Sequence, residues 1–397
     1  SAAARDARTF GIPPVQFNVV GRGELQVKEG YLGVVVQYAE GTRTIPFVRQ
    51  TNDLEYRLTS DIRALTRKDK PVVALLAAPD RSAAANRTFN TLSEQLGENY
   101  TVRTVTVPPD SGPPKDAKVL VISGVPDSVP QWELSHLTAF LDSGGGLLLM
   151  AGGMALASQV PLATGRAVPW NALLAPYGVS VRSDMVYDLA SNEQVTMPVQ
   201  FGQVLLPYPL WLRALSTRAS PLNAEIDAVL LPWASTIDTS RVAKGTLTPL
   251  LVTTRAAGVK QTEMFLNPTQ QFPRDSLERR LVAVQVNPAA GGAARSRGRL
   301  VVVGSGEFAT DHFARGPQSG VVLVQNAVDW LAQDEALISI RSKDRSPPPL
   351  VFPNAGIRDA VRYGNVVGIP LLLIAAGVAG MLRRRRLTRL PYRPLAA

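Results

Sequence analysis

Polar and apolar positions change rhythm several times along this chain, and each change predicts a different element. Residues 2–10 read as a short helix, and the stretches 15–20 and 31–39 have the β-branched and aromatic content of strands. Glu40-Gly41 turns the chain into a further strand at 44–48. From 53 to 67, Leu54, Leu58, Ile62 and Leu65 recur at three- and four-residue spacing, which predicts an amphipathic helix. From Pro71 the texture becomes continuous: "VVALLAA" (72–78), "KVLVIS" (118–123), "LLLMAG" (147–152) and "RLVVVGSG" (299–306) are apolar runs expected of strands buried on both faces of a parallel sheet. With "VRTVTV" (102–107) and intervening helices, they predict an open, doubly wound α/β sheet.

The best-marked helix is read from Ser128, with Gln131 completing a capping box, through Trp132, Leu134, Leu137, Phe140 and Leu141 to Gly144. Residues 190–290 break the alternation with proline-separated strands, read as an elaboration on the sheet. Residues 287–298 read as a loop, and the proline-rich segment 342–362 as a stalk. From Gly364 to Leu382 the chain is uncharged and apolar, close to the roughly 20 residues a helix needs to cross a bilayer. The expected order is therefore a partial α/β segment (1–68), an α/β domain (70–340), the stalk, a transmembrane helix (364–382) and a basic tail (383–397).

Charge sharpens that expectation. The formal net charge is +10, but six arginines lie in the tail, so +10 − 6 leaves +4 on residues 1–382. Arg383, Arg384, Arg385 and Arg386 follow the apolar stretch directly, which by the positive-inside rule predicts a cytoplasmic tail and an extracytoplasmic bulk. The absence of cysteine excludes disulfides, thiolate metal sites and thiol catalysis. The start at Ser1, without Met or an apolar leader, reads as a fragment boundary.

Candidate chemistry is sparse. Ser123 and Ser305 each follow a predicted strand, and Ser305, Glu307, Asp311 and His312 crowd one strand-to-helix loop where open α/β sheets place ligands. A serine nucleophile with a histidine base is one reading; a polar loop in which Asp311 caps a turn is the other. His136, between Ser135 and Thr138, is expected to face solvent. Two distant histidines suit zinc poorly, and the basic clusters carry too few aromatics for a nucleic-acid platform, so no cofactor, metal or nucleic acid is expected. Trp170, Trp211, Trp233 and Tyr208 read as core or as the wall of a glycan- or peptide-binding cleft.

Several stretches together resemble the GldG-type auxiliary proteins of ABC transport systems, associated with gliding motility. They are the segment from "PPVQFNVV" to "DIRALT", "DAKVLVISGVPDSVPQWELSHLTAFLDSGGGLLLMAGG" with Glu133 in its helix, "GTLTPLLVTT", "RLVVVGSGEFATDHF", "NAVDWLA" and the terminal helix with its arginines. Two departures are visible: Ala151-Gly152-Gly153 where that family often has Asp-Pro, and "GSGEF" where it has "GDSDF". The resemblance implies a thioredoxin-like first segment and a Rossmann-like, amidotransferase-related central domain shared with an intraflagellar-transport subunit. It also implies an inner-membrane location and two partners, a multi-span permease and a cytoplasmic ATPase. The function expected is that of a non-catalytic anchored subunit. The alternatives are an amidotransferase-like serine hydrolase and a free-standing glycan- or peptide-binding receptor.

Overall fold

A computed structural model describes residues 2–21, 24–48, 54–66, 70–77, 87–157, 160–199, 202–220, 222–223, 226–243, 245–288, 298–314, 320–332 and 361–387. The chain separates into two compact units, Ser1–Pro349 and Leu350–Ala397. The stalk read at 342–362 lies almost wholly outside the described residues, as does most of the loop read at 287–298.

The first unit opens with α1 (Ala2–Thr9), the hairpin β1 (Pro14–Gly21) and β2 (Glu24–Tyr31), the hairpin β3 (Val34–Tyr38) and β4 (Gly41–Ile45), and α2 (Leu54–Thr66). Then come β5 (Val72–Ala77), α3 (Asn90–Gly97), β6 (Thr101–Thr104), β7 (Ala117–Ser123), α4 (Gln131–Asp142) and β8 (Gly146–Met150). A strand-rich stretch follows: β9 (Met154–Leu156), β10 (Leu162–Gly165), the short α5 (Asn171–Leu174), β11 (Ser180–Val181), β12 (Met185–Asp188), β13 (Asn192–Val199) and β14 (Gly202–Ser216). It continues with β15 (Ala228–Pro232), β16 (Ile237–Asp238), β17 (Leu247–Val252), β18 (Ala257–Lys260) and β19 (Met264–Phe265). β20 (Leu281–Val286), β21 (Leu300–Val303) and α6 (Val321–Leu331) complete the unit.

Ten strands form one mixed sheet in the order β13-β14-β17-β20-β21-β8-β7-β5-β6, with β15 also on β14. From β21 to β6 neighbours run parallel; from β13 to β21 they run antiparallel. The apolar runs of the sequence supply the parallel half, and alternate residues feed opposite cores because side chains in a strand alternate between faces. Val73, Leu75, Val119, Val121, Leu148 and Val301 pack with Leu92 and Leu96 of α3 and with α6 on one face. Ala74, Leu76, Leu120, Ile122, Leu147 and Val302 pack with Leu137 and Leu141 of α4 and with α5 on the other. The stretch read as an elaboration at 190–290 supplies the antiparallel half of this same sheet.

Two sequence expectations are corrected. The helix read from Ser128 starts at Gln131, with Pro130 at the N-cap and no side-chain cap bond. A proline ring pushes the residue before it, here Val129, toward extended backbone, so the capping box cannot close. His136 is half-buried rather than solvent-facing: its ring lies 6.1 Å from Trp132, and its Nδ1 is secluded.

In the second unit a π-helical turn, Gly364–Gly368, leads into α7 (Ile369–Leu387). The stretch read as one spanning helix is thus divided, and in α7 the apolar run 369–382 passes straight into exposed Arg383 and Arg384. Among the described residues, no helix is long and apolar enough to cross a membrane.

Candidate functional site at the ends of the parallel strands

Because β5, β7, β8 and β21 run parallel, their C-terminal ends line one edge of the sheet, where open α/β folds bind ligands. Ser123 ends β7, and Ser305 stands two residues past β21; both are fully buried. The hub between them is Arg87, just before α3. Its Nη2 donates to Ser123 Oγ at 2.8 Å and to Gly306 O at 2.6 Å, and its Nε lies 2.9 Å from Glu307 Oε1. The Arg87 and Glu307 side chains are 10% and 13% exposed, so the pair is shielded from water and its attraction is little screened. The guanidinium also stands 5.7 Å over the Phe89 ring. No local pattern announces Arg87: its partner Gly306 is 219 residues away along the chain.

The two serines are held in a manner that opposes nucleophilic chemistry. Ser123 Oγ donates to Gly306 O at 3.1 Å, and Ser305 Oγ donates to Pro232 O at 2.7 Å. Each hydroxyl proton thus points at an amide carbonyl, which cannot remove it, whereas an attacking serine needs a general base within hydrogen-bond reach. His312 is exposed, with its ring 4.6 Å from Phe313 and 6.5 Å from Trp211. The four residues read together in sequence are therefore divided: Ser305 turns under the sheet edge, Glu307 faces Arg87, Asp311 holds a helix and His312 joins an aromatic group.

Asp311 performs the cap that α3 lacks locally, since the N-cap residue Phe89 offers no side-chain acceptor. Its Oδ1 accepts from Thr91 N–H at 2.8 Å, and its Oδ2 from Asn90 N–H and Nδ2 at 3.1 and 3.0 Å. Burial by itself raises this carboxyl, but hydrogen bonds from Thr88, Thr91 and Asn90 outweigh that and hold it far below the usual carboxylate range. The backbone is stitched as well, Asp311 N–H donating to Thr88 O at 2.8 Å.

Beside this loop lies an edge-to-face group of rings. Trp211 is 5.8 Å from Trp233 and 5.0 Å from Phe313, and Trp233 is 5.7 Å from Phe313. Trp233 has φ +49°, a left-handed conformation that a bulky residue adopts only under constraint. The constraint is visible: Ser235 N–H donates to Gly304 O at 2.7 Å, and Ser235 Oγ accepts from Gly153 N–H at 2.7 Å. A Cβ at Gly304 would collide with Ser235 O, so only glycine admits this close approach. Trp170 is different, being fully buried with Nε1 donating to Gly124 O at 2.9 Å. Two concavities of about 440 and 540 Å³ lie elsewhere, one beside His136 and Lys115, the other beside Pro207, Gln270 and Phe272. Among the described residues, no group of three or more His, Cys, Asp or Glu is placed to hold a metal ion.

Solved structures with some similarity include the mmIFT52 N-terminal domain, 18% identical with a TM-score of 0.41, covering 65% of this chain and 97% of that one. A putative ThuA-like protein from Bacteroides uniformis is 12% identical with a TM-score of 0.38, covering 67% of this chain and 93% of that one. A β-galactosidase from Rahnella sp. R3 is 10% identical with a TM-score of 0.36, covering 74% of this chain and 35% of that one. Similarities this low carry neither fold nor function across. No curated protein matches the chain. The family described as "ABC-type uncharacterized transport system" matches residues 70–332, the span that holds the whole mixed sheet and α6. By that match the chain belongs to the auxiliary components of ABC-type transport systems.

Proposed function

We propose that this protein is a non-catalytic, membrane-anchored subunit that couples an extracytoplasmic binding event to a permease and a cytoplasmic ATPase. The family match over residues 70–332 carries the reading. The strand-end edge supports it, because Arg87, Glu307 and Ser123 fill that edge with contacts of the chain's own and both serine hydroxyls donate to backbone carbonyls. In this proposal the uncharged stretch 364–382 anchors the chain in the inner membrane, with Arg383 to Arg386 holding the tail in the cytoplasm. The same proposal gives the chain a Rossmann-like central domain, a thioredoxin-like first segment, and service in a gliding-motility or envelope system.

Co-purification tests it. The full chain, expressed with the permease and ATPase encoded beside it and extracted in mild detergent, is expected to bring down both. Recovery of the chain alone, with both subunits present in the extract, sinks the proposal. A second reading, a glycan or peptide ligand, is favoured by the strained Trp233 beside Trp211 and exposed His312. A shift in tryptophan fluorescence on titrating an oligosaccharide or peptide, abolished in Trp211→Ala, would support it. A hydrolytic activity lost in Ser123→Ala or Ser305→Ala would instead argue for the serine hydrolase.

A further inference from the structure

The concavity beside His136 lies at the other edge of the sheet from Arg87, where β7 begins and α4 ends. Its volume of about 440 Å³ falls within the roughly 300–1,000 Å³ usual for small-molecule sites. One wall is the segment from Ser111 to Lys115 with Lys118 of β7; the other is the end of α4, with His136, Phe140 and the turn that follows. Glycines fix both walls. Gly112 has φ +69°, and a Cβ there would stand 3.1 Å from His136 Cβ, while a Cβ at Gly145 would overlap the Phe140 ring.

The charged groups of this lining are all cations. Lys115 and Lys118 are exposed, and among the described residues neither has a hydrogen-bond or ion-pair partner. Among the described residues no carboxylate lines the concavity. The adjacent Asp116 is taken by Arg103, whose Nη1 lies 3.1 and 2.9 Å from its two oxygens. Cations near a helix C-terminus also offset its dipole, but the last carbonyls of α4 are already served. Gly144 N–H donates to Leu141 O at 2.9 Å, Gly145 N–H to Phe140 O at 3.1 Å and Ser143 Oγ to Phe140 O at 2.7 Å. The lysines are left over. His136 adds a neutral donor: its Nδ1 is secluded without a partner, and an orphaned buried N–H is rarer than an orphaned acceptor, so the ring proton sits on the more open Nε2. The exposed Ser111 hydroxyl is a further donor. Two ammonium groups with two neutral donors suit an anion of several oxygens. A phosphate monoester carries about −1.5 to −2 at pH 7 and three acceptor oxygens, matching both lysines, whereas a carboxylate has one charge and is better held by the arginine fork. Phe140 and Pro113 offer apolar surface to the body of such a ligand.

We propose that this concavity binds a phosphate monoester group through Lys115, Lys118 and His136. The assignment stands independently of the subunit reading. In the test, the full chain in mild detergent is titrated calorimetrically with phenyl phosphate, and one saturable site per chain is expected. Lys115→Gln with Lys118→Gln is expected to weaken binding about tenfold or more. His136→Phe, which keeps a ring beside Trp132 but removes the donor, is expected to weaken it about three- to tenfold. Arg255→Gln removes an exposed cation between β17 and β18 and is expected to change affinity less than about twofold. The lysines and Arg255 are exposed, so these substitutions should leave the thermal midpoint almost unmoved and losses of affinity report on the site. Heats that never saturate, full affinity in either lining variant, an equal loss in Arg255→Gln, or benzoate binding as tightly as phenyl phosphate each overturn the proposal. Dihexanoyl phosphatidic acid, titrated alongside, distinguishes the sources of the group: tighter binding than phenyl phosphate assigns a lipid headgroup, weaker binding a free phosphorylated metabolite.

Discussion

Arg87 is the residue on which the strand-end edge depends. Replacing it with methionine leaves Glu307 shielded without a cation, expected to cost about 3 kcal/mol in chemical denaturation, whereas adding Glu307→Leu should recover a large part of that loss. Asp311→Ala removes the cap of α3 and is expected to cost about 1–2 kcal/mol. Its pH dependence has a fixed sign. The folded-state carboxyl lies below its unfolded value near 3.9, so the stabilisation is complete above that value and fades as pH falls further. The gap in stability between the native chain and Asp311→Asn should therefore be full at pH 7 and shrink below about pH 4, as read by parallel urea melts. A gap that stays constant down to pH 2 would remove the charge from the explanation. Of this site the sequence showed the loop that carries Ser305, Glu307, Asp311 and His312, since strand ends advertise themselves by apolar runs that stop at glycine. It concealed Arg87, because a cation far along the chain is brought to Glu307 only by the fold.

At the scale of elements, the parallel strands were legible and the antiparallel ones were less so, for one physical reason. β5, β7, β8 and β21 are buried on both faces and must be apolar throughout, while β13 and β14 contain prolines and a register shift that blur any period. β2, whose sequence "ELQVKEGY" carries three charged residues in eight and no apolar run, passed unread as well. The two halves are sewn together by the segment after β15, and Ser235 is its knot. Its hydroxyl donates to Asp184 O at 2.6 Å and accepts from Gly153 N–H, so Ser235→Ala leaves buried groups unpaired and is expected to cost about 1–3 kcal/mol. Thermal melts that leave the Ser235→Ala midpoint unchanged would show that water replaces the hydroxyl there.

For the whole molecule, the proposed anchor gives the broadest expectation. In fractionated cells the full chain should stay with the membrane through a high-salt wash and leave only with detergent, because apolar insertion is not screened while attraction to anionic headgroups is. Release by salt alone would reduce residues 364–387 to a basic surface contact. The terminal segment illustrates the limit of hydropathy: its composition reads as one helix from Gly364, yet its first five residues, Gly364–Gly368, form a π turn and α7 begins at Ile369, and composition carries no signal for such a turn.

The order of the strands has a further consequence for synthesis. β8 and β21 are sheet neighbours, Leu147 beside Leu300, although the entire antiparallel half is translated between them. A nascent chain that has completed β5 to β8 must wait on the ribosome with the apolar flank of β8 bare, a sticky edge of the kind that recruits holdases or other nascent chains. Ribosome-arrested chains ending before Arg299 should be digested readily by protease, with resistance appearing only once β21 has emerged and closed the gap.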